Sequence, residues 1–276
     1  MLQIGSAEEA KQNQEYRAAL VALLFQLADD NFLVGYRGSE WLGLAPHLEA
    51  DVAFSSIAQD HMGHAALFYQ LLEELGEGKA DDLAHLREAS SFQNARLVER
   101  SNGKGDYMEH PQYDWCYSVV RQYIFDLFEQ MRMNALQHST YLPLAQAATK
   151  ISREKYYHVL HGETWFKEMA TTTDEARYRL LIALDKVWSD IGELFSWGPQ
   201  AASICQHGLL DDEQLLLNTF TNQMSNIFDV VQIPWPGDLQ LKGKEQNGRY
   251  GQHTVDLEEA LKNISEVYRQ DPTAAW

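Results

Sequence analysis

The stretch Ser56-Ile57-Ala58-Gln59-Asp60-His61-Met62-Gly63-His64-Ala65-Ala66-Leu67-Phe68-Tyr69-Gln70-Leu71 decides the fold. Read as a helix, it gathers Ile57, His61, His64, Leu67, Phe68 and Leu71 on one face by spacings of three and four residues. Asp60, three after Ile57 and four before His64, lies on the same side. Three groups able to bind a metal or a proton therefore fall in the stripe that should face the core. A buried His or Asp is costly unless something pairs with it, so partners are expected on facing helices.

Helical spacing continues on both sides of this stretch. Upstream, a long helical region is expected from Glu8 to about Leu44, with Leu20, Leu23, Leu24 and Leu27 in register and Pro46 marking the break. A second stripe there, Leu33, Arg37, Glu40 and Leu44, sets Glu40 among apolar neighbours. The helix holding His61 is predicted from about Leu48 to Leu75, stopped by Gly76. A short helix, Ala80 to Ala89, and a loop, Ser90 to Tyr113, follow.

A third long helix is expected from Tyr113 to Gln137, with Val119, Tyr123, Asp126, Gln130 and Met133 on one face and Glu129 close by. The fourth, Tyr141 to Met169, tolerates Pro143 in its first turn and repeats Ile151, Glu154, His158, His161 and Trp165. A fifth runs from Asp174, its N-cap, to Trp197; a sixth from Asp211 to Val231; a last from Val255 to Tyr268, with Thr254 as N-cap. No strand alternation or short repeat stands out. The class expected is all-α, a single domain over residues 1–276 with four long helices at its centre and a C-terminal extension from about 233.

Each central helix offers inward polar groups: Glu40; Asp60, His61 and His64; Asp126 and Glu129; Glu154 and His158. Carboxylate-bridged di-iron bundles use a Glu from each of two helices and Glu-x-x-His from each of the other two. The order here follows that layout, but His61 stands where the first motif needs Glu, and Lys155 where the second does. Asp60 and Glu154 lie one residue earlier, rotated by about 100° on a helix. Two readings follow: an ion cluster in which Lys155 and Arg37, helped by the histidines, balance Glu40, Asp126 and Glu154, or a shifted metal site. An ammonium pointing at the site repels a dication, and this favours the cluster.

Composition narrows the function classes. The chain has 22 basic and 40 acidic residues among 276, a net charge of −18, which argues against nucleic acid as a partner. Glu8, Glu9 and Glu15 before the first apolar segment are the wrong charge for an export signal, and no apolar run of membrane length is evident, so a cytoplasmic location is expected. Cys116 and Cys205 form no CxxC and read as two reduced thiols. His47, His85, His110, His138 and His207 are singletons, Asp29-Asp30 and Asp211-Asp212-Glu213 read as solvated, and Trp235 and Trp276 are candidates for docking, on a partner or within the chain.

Several runs stand out together: Gly38 to Glu49 (Gly-Ser-Glu-Trp-Leu-Gly-Leu-Ala-Pro-His-Leu-Glu), Asp60 with Gly63, and Arg121-Gln122-Tyr123-Ile124-Phe125-Asp126. They continue through Glu154-Lys155-Tyr156-Tyr157-His158, Gly162, Trp165, Lys186-Val187-Trp188, Glu193-Leu194-Phe195, Gly251-Gln252-His253-Thr254 and Trp276. In these runs the chain resembles the PaaC-type subunit of the bacterial phenylacetyl-CoA epoxidase, a ring 1,2-epoxygenating monooxygenase. The resemblance implies a ferritin-like bundle that scaffolds a catalytic di-iron sister subunit, which epoxidises phenylacetyl-CoA with O₂ and electrons from a separate reductase. It implies no catalytic residue, metal or cofactor in this chain, other complex subunits and copies of itself as partners, and a degenerate site remnant at Glu40, Asp60, His61, His64, Asp126, Glu129, Glu154, Lys155 and His158. His61, His64 and Glu129 depart from that pattern in being able to bind metal. An active di-metal oxygenase or oxidase is the alternative, and an iron-storage protein a remoter one.

Overall fold

The computed structural model describes residues 3–239 and 243–274, so Trp276 lies outside the described residues. The helices are α1 (Ala7–Ala10), α2 (Gln14–Ser39), α3 (Leu48–Glu74), α4 (Ala80–His85), α5 (Arg96–Glu99), α6 (Trp115–Leu136) and α7 (Leu142–Thr171). They continue as α8 (Asp174–Trp188), α9 (Ala201–Gln206), α10 (Glu213–Val231), α11 (Val255–Ile264) and α12 (Glu266–Gln270). The class is all-α; a two-residue hairpin, Gly103–Lys104 against Gln112–Tyr113, is the sole sheet among the described residues.

α2 packs along α3, and α6 along α7. Asp60 pairs with His158 and His64 with Glu154, so α3 and α7 run antiparallel. α6 turns straight back into α7, so α3 and α6 point the same way and need the long crossover between them, as in ferritin-like bundles. α8 and α10 lie against α6 and α7, while α9 and α11 lie against α2. One core cluster runs from Ala10 to Leu261. Each fully buried Leu or Phe contributes about 1.5–3 kcal/mol, so this core, not its ions, carries the stability.

Two glycines let the helices close around the site. A Cβ at Gly35 would come 3.1 Å from His61 Cβ, and one at Gly162 would come 2.8 Å from Tyr123 Cβ. α2 thereby approaches α3, and α7 approaches α6, at the level of the polar layer.

The four long helices stand where periodicity puts them, and the differences lie at their ends. The first helical region is broken after α1 because the Asn13 side chain accepts from the backbone of Glu15 and Tyr16 and starts a new helix. Thr173, not Asp174, caps α8, accepting from the Ala176 backbone at 3.1 Å. α8 stops at Trp188 rather than Trp197, and a 3₁₀ turn at Ile191–Phe195 carries Glu193 inward to accept from the Arg96 and Gly248 backbone. Thr254 stands at the cap position of α11 without a side-chain cap bond.

α2 is long and apolar enough, by length and composition, to cross a membrane, but most of that stretch is buried in the bundle. Its two acids, Asp29 and Asp30, are fully buried and not solvated as their sequence suggests. Arg87, the Tyr69 hydroxyl and the Gln93 backbone serve Asp29; Arg132, Arg249 and the Ala95 backbone serve Asp30. Trp235 packs inside the chain, edge-on to Trp188 at 4.9 Å.

Candidate functional site

The site is a polar layer midway along the bundle, and Asp126 on α6 is its centre. Gln122, one turn earlier, donates to Asp126 Oδ2 at 2.7 Å. Lys155 Nζ on α7 donates to Asp126 Oδ1 at 3.0 Å. His61 Nε2 on α3 lies 3.1 Å from the same oxygen, and His158 Nδ1 on α7 lies 3.4 Å from it. His61, Asp126 and Lys155 are fully buried and His158 nearly so. Burial alone would raise the Asp126 pKa, but Lys155, His61 and His158 hold the carboxyl well below the usual range.

Hydrogen bonding assigns the His61 tautomer. Asn31 on α2 gives its amide hydrogens to the Leu27 carbonyl and Glu129, which leaves Oδ1 to accept from His61 Nδ1 at 2.8 Å. Nδ1 therefore carries the proton, and the Nε2 lone pair accepts from the Gln122 amide at 2.9 Å, with Asp126 Oδ1 3.1 Å away. Lys155 Nζ, 3.0 Å from Asp126 Oδ1, lies 3.3 Å from the His61 Nε2 lone pair, so its ammonium sits between the carboxylate and the imidazole. Burial first, then the Lys155 charge, push the His61 pKa down to about 3, so the ring stays neutral at pH 7.

The seam between α3 and α7 closes the layer with two crossed pairs. His158 Nε2 donates to Asp60 at 2.9 Å, and His64 Nε2 donates to Glu154 at 2.7 Å. The Asp60 and Glu154 side chains are 44% and 37% exposed, so these carboxylates open to solvent. His64 Nδ1 and His158 Nδ1 are buried without hydrogen-bond partners. Burial, then the Lys155 charge, push the His64 pKa far down.

Asp60, His61, His64, Asp126, Glu154, Lys155 and His158 thus come together, while Glu40 does not. Glu40, at the C-terminal end of α2, accepts from Arg37 at 3.1 Å and from Asn102 at 2.8 Å, and none of its hydrogen bonds or ion pairs reaches the His61 group. Arg37 accordingly belongs to Glu40 and two backbone carbonyls, not to the cluster with Lys155. The α2 residue at the site is Asn31, nine positions or about 13 Å earlier along the helix. Glu129 belongs to a neighbouring network: it accepts from Arg132 at 2.7 Å and touches the layer only through Asn31.

These residues do not fit a two-metal centre. Asp126 is the one fully buried carboxylate of the layer, and an ammonium stands 3.0 Å from it, where a second cation would meet its charge. The α2 position holds a neutral amide already committed to three bonds.

The chain is 27% identical over 258 residues to the C subunit of the 1,2-phenylacetyl-CoA epoxidase of Escherichia coli K12, covering 93% of this chain and 99% of the relative. It is 22% identical over 173 residues to the A subunit of the same enzyme and organism, covering 63% of this chain and 52% of the relative. Residues 3–276 match the family described as Phenylacetic acid catabolic protein, and the chain belongs to that family.

Proposed function

We propose that this chain is the non-catalytic structural subunit of a multicomponent phenylacetyl-CoA 1,2-epoxidase, acting in aerobic phenylacetate degradation in the cytoplasm. Its partner is a catalytic sister subunit that holds the di-iron centre, with other subunits and copies of itself in the complex. The observation that carries this reading is Lys155, an ammonium within hydrogen-bond reach of Asp126 and His61 in the layer where a di-metal site would lie. Similarity to the C subunit over nearly its whole length supports the role, and the shorter match to the A subunit supports a shared bundle ancestry. Exposed apolar side chains, Leu48 and Val52 on α3 with Tyr156, Tyr157 and Leu160 on α7, offer area for such a partner.

Coexpression with a partner of the catalytic type tests this directly. The expected result is a stable complex in which iron and epoxidase activity follow the partner, while this chain purified alone carries no stoichiometric iron. Two irons per chain in the isolated protein, or epoxidation by it without the partner, would overturn the reading.

A further inference from the structure

We infer that His61, Asp126 and His158 form a latent mononuclear site for a divalent transition-metal cation, and that Lys155 is the resident cation that keeps it shut. The inference rests on the metal-free reading of the polar layer and deepens it by naming the residue responsible and the ligand class excluded. Three observations lead there. First, one donor atom from each of the three side chains lies within 4.8 Å of the others. The Asp126 edges, 3.1 Å to His61 and 3.4 Å to His158, match the spacing of ligands around a metal at about 2.0–2.2 Å. Two imidazoles and a carboxylate are a donor set for Fe²⁺, Co²⁺ or Zn²⁺, not for Mg²⁺ or Ca²⁺.

Second, every donor already has the outer partner that a metal ligand needs. His61 gives Nδ1–H to Asn31, His158 gives Nε2–H to Asp60, and Gln122 holds the far oxygen of Asp126. Third, His158 Nδ1 is buried and aimed at Asp126 without a hydrogen bond, an orphan lone pair that ion pairing alone does not account for. Lys155 Nζ, 3.0 Å from Asp126, supplies the positive charge this donor set lacks. It donates to Asp126 and lies 3.3 Å from His61 Nε2, and the His158 lone pair is left unserved.

The test is metal titration of the full-length chain with Co²⁺ and Zn²⁺, for wild type, Lys155→Ala, Lys155→Gln and Lys155→Ala with His158→Ala. Wild type is expected to take up no tightly held ion. Lys155→Ala should bind about one equivalent, with visible Co²⁺ absorption and a melting temperature raised by about 5 °C or more at saturating metal. The double variant should lose that uptake. Should Lys155→Ala not fold alone, refolding it with Co²⁺ and measuring Lys155→Gln supply the same readout. If neither single variant takes up metal, or His158→Ala leaves uptake unchanged, the inference is overturned while the proposed structural role stands. Uptake by wild type would instead overturn the metal-free reading itself.

Discussion

Asn31 joins the two buried networks of the bundle, accepting a hydrogen bond from His61 Nδ1 on one side and donating to Glu129 on the other. Replacing it with Ala leaves a buried imidazole N–H and a carboxylate each short of a partner, at about 1–3 kcal/mol per orphaned group. We expect Asn31→Ala to lower the free energy of urea unfolding by about 2–4 kcal/mol; an unchanged midpoint would show that water or a shifted side chain replaces the amide. The sequence points to Glu40 instead, because a metal template asks for an acid and Glu40 shares a stripe with Leu33 and Arg37. A lone Asn inside a helix carries no such signal. The mutual pairing of Asp60 with His158 and of Glu154 with His64 is different: both i, i+4 pairs are legible, and antiparallel helices make them meet crosswise. The two departures from the metal motif, His61 and Lys155, are legible too, since each stands three residues before a histidine on a core face.

At the scale of elements, periodicity reveals the long helices because each must bury one continuous face, whereas the segments between them are fixed by ions that come from far along the chain. Arg249 shows this. It lies in a glycine-rich loop with no helical or strand pattern, yet its guanidinium is buried against Asp30 on α2 at 2.8 and 2.9 Å and against the Gln93 carbonyl. His253 likewise reaches Glu99 at 2.7 Å. The early end of α8 has the same origin, since Glu193 turns inward to the Arg96 and Gly248 backbone. No local pattern announces such pairings. Arg249→Ala should therefore cost about 3–5 kcal/mol by stranding part of the Asp30 charge, and should expose the segment from about residue 233 to protease before the four-helix core is cut. Simultaneous digestion of core and tail would show that the tail is not separately secured. Gly162→Ala, by contrast, acts on the α6–α7 contact alone and should cost about 1–3 kcal/mol through the clash with Tyr123.

For the whole molecule, the buried histidines set opposite slopes of stability against pH. His61 and His64 have pKa values lowered in the folded chain, so the unfolded chain binds their protons near pH 6.5 while the folded chain refuses them. Stability is therefore lost as pH falls below 6.5, and for His61 the loss continues down to about 3. Asp126, also lowered, adds its loss below the ordinary aspartate range. His253 runs the other way: burial pushes it down, but Glu99 and the Phe92 carbonyl outweigh that and raise it. Its contribution is complete below 6.5 and disappears as pH rises through the folded value. The −18 net charge grows more repulsive on the same side. The free energy of unfolding, measured from pH 5 to 9, should thus peak near neutrality, and between 6.5 and 5 each imidazole can remove on the order of 2 kcal/mol. His61→Gln removes one of these imidazoles and should make the acid limb shallower, the His64 share remaining, while leaving the alkaline limb unchanged; His253→Gln should make the alkaline limb shallower. Curves that stay parallel to wild type in both variants would place the pH dependence elsewhere in the molecule.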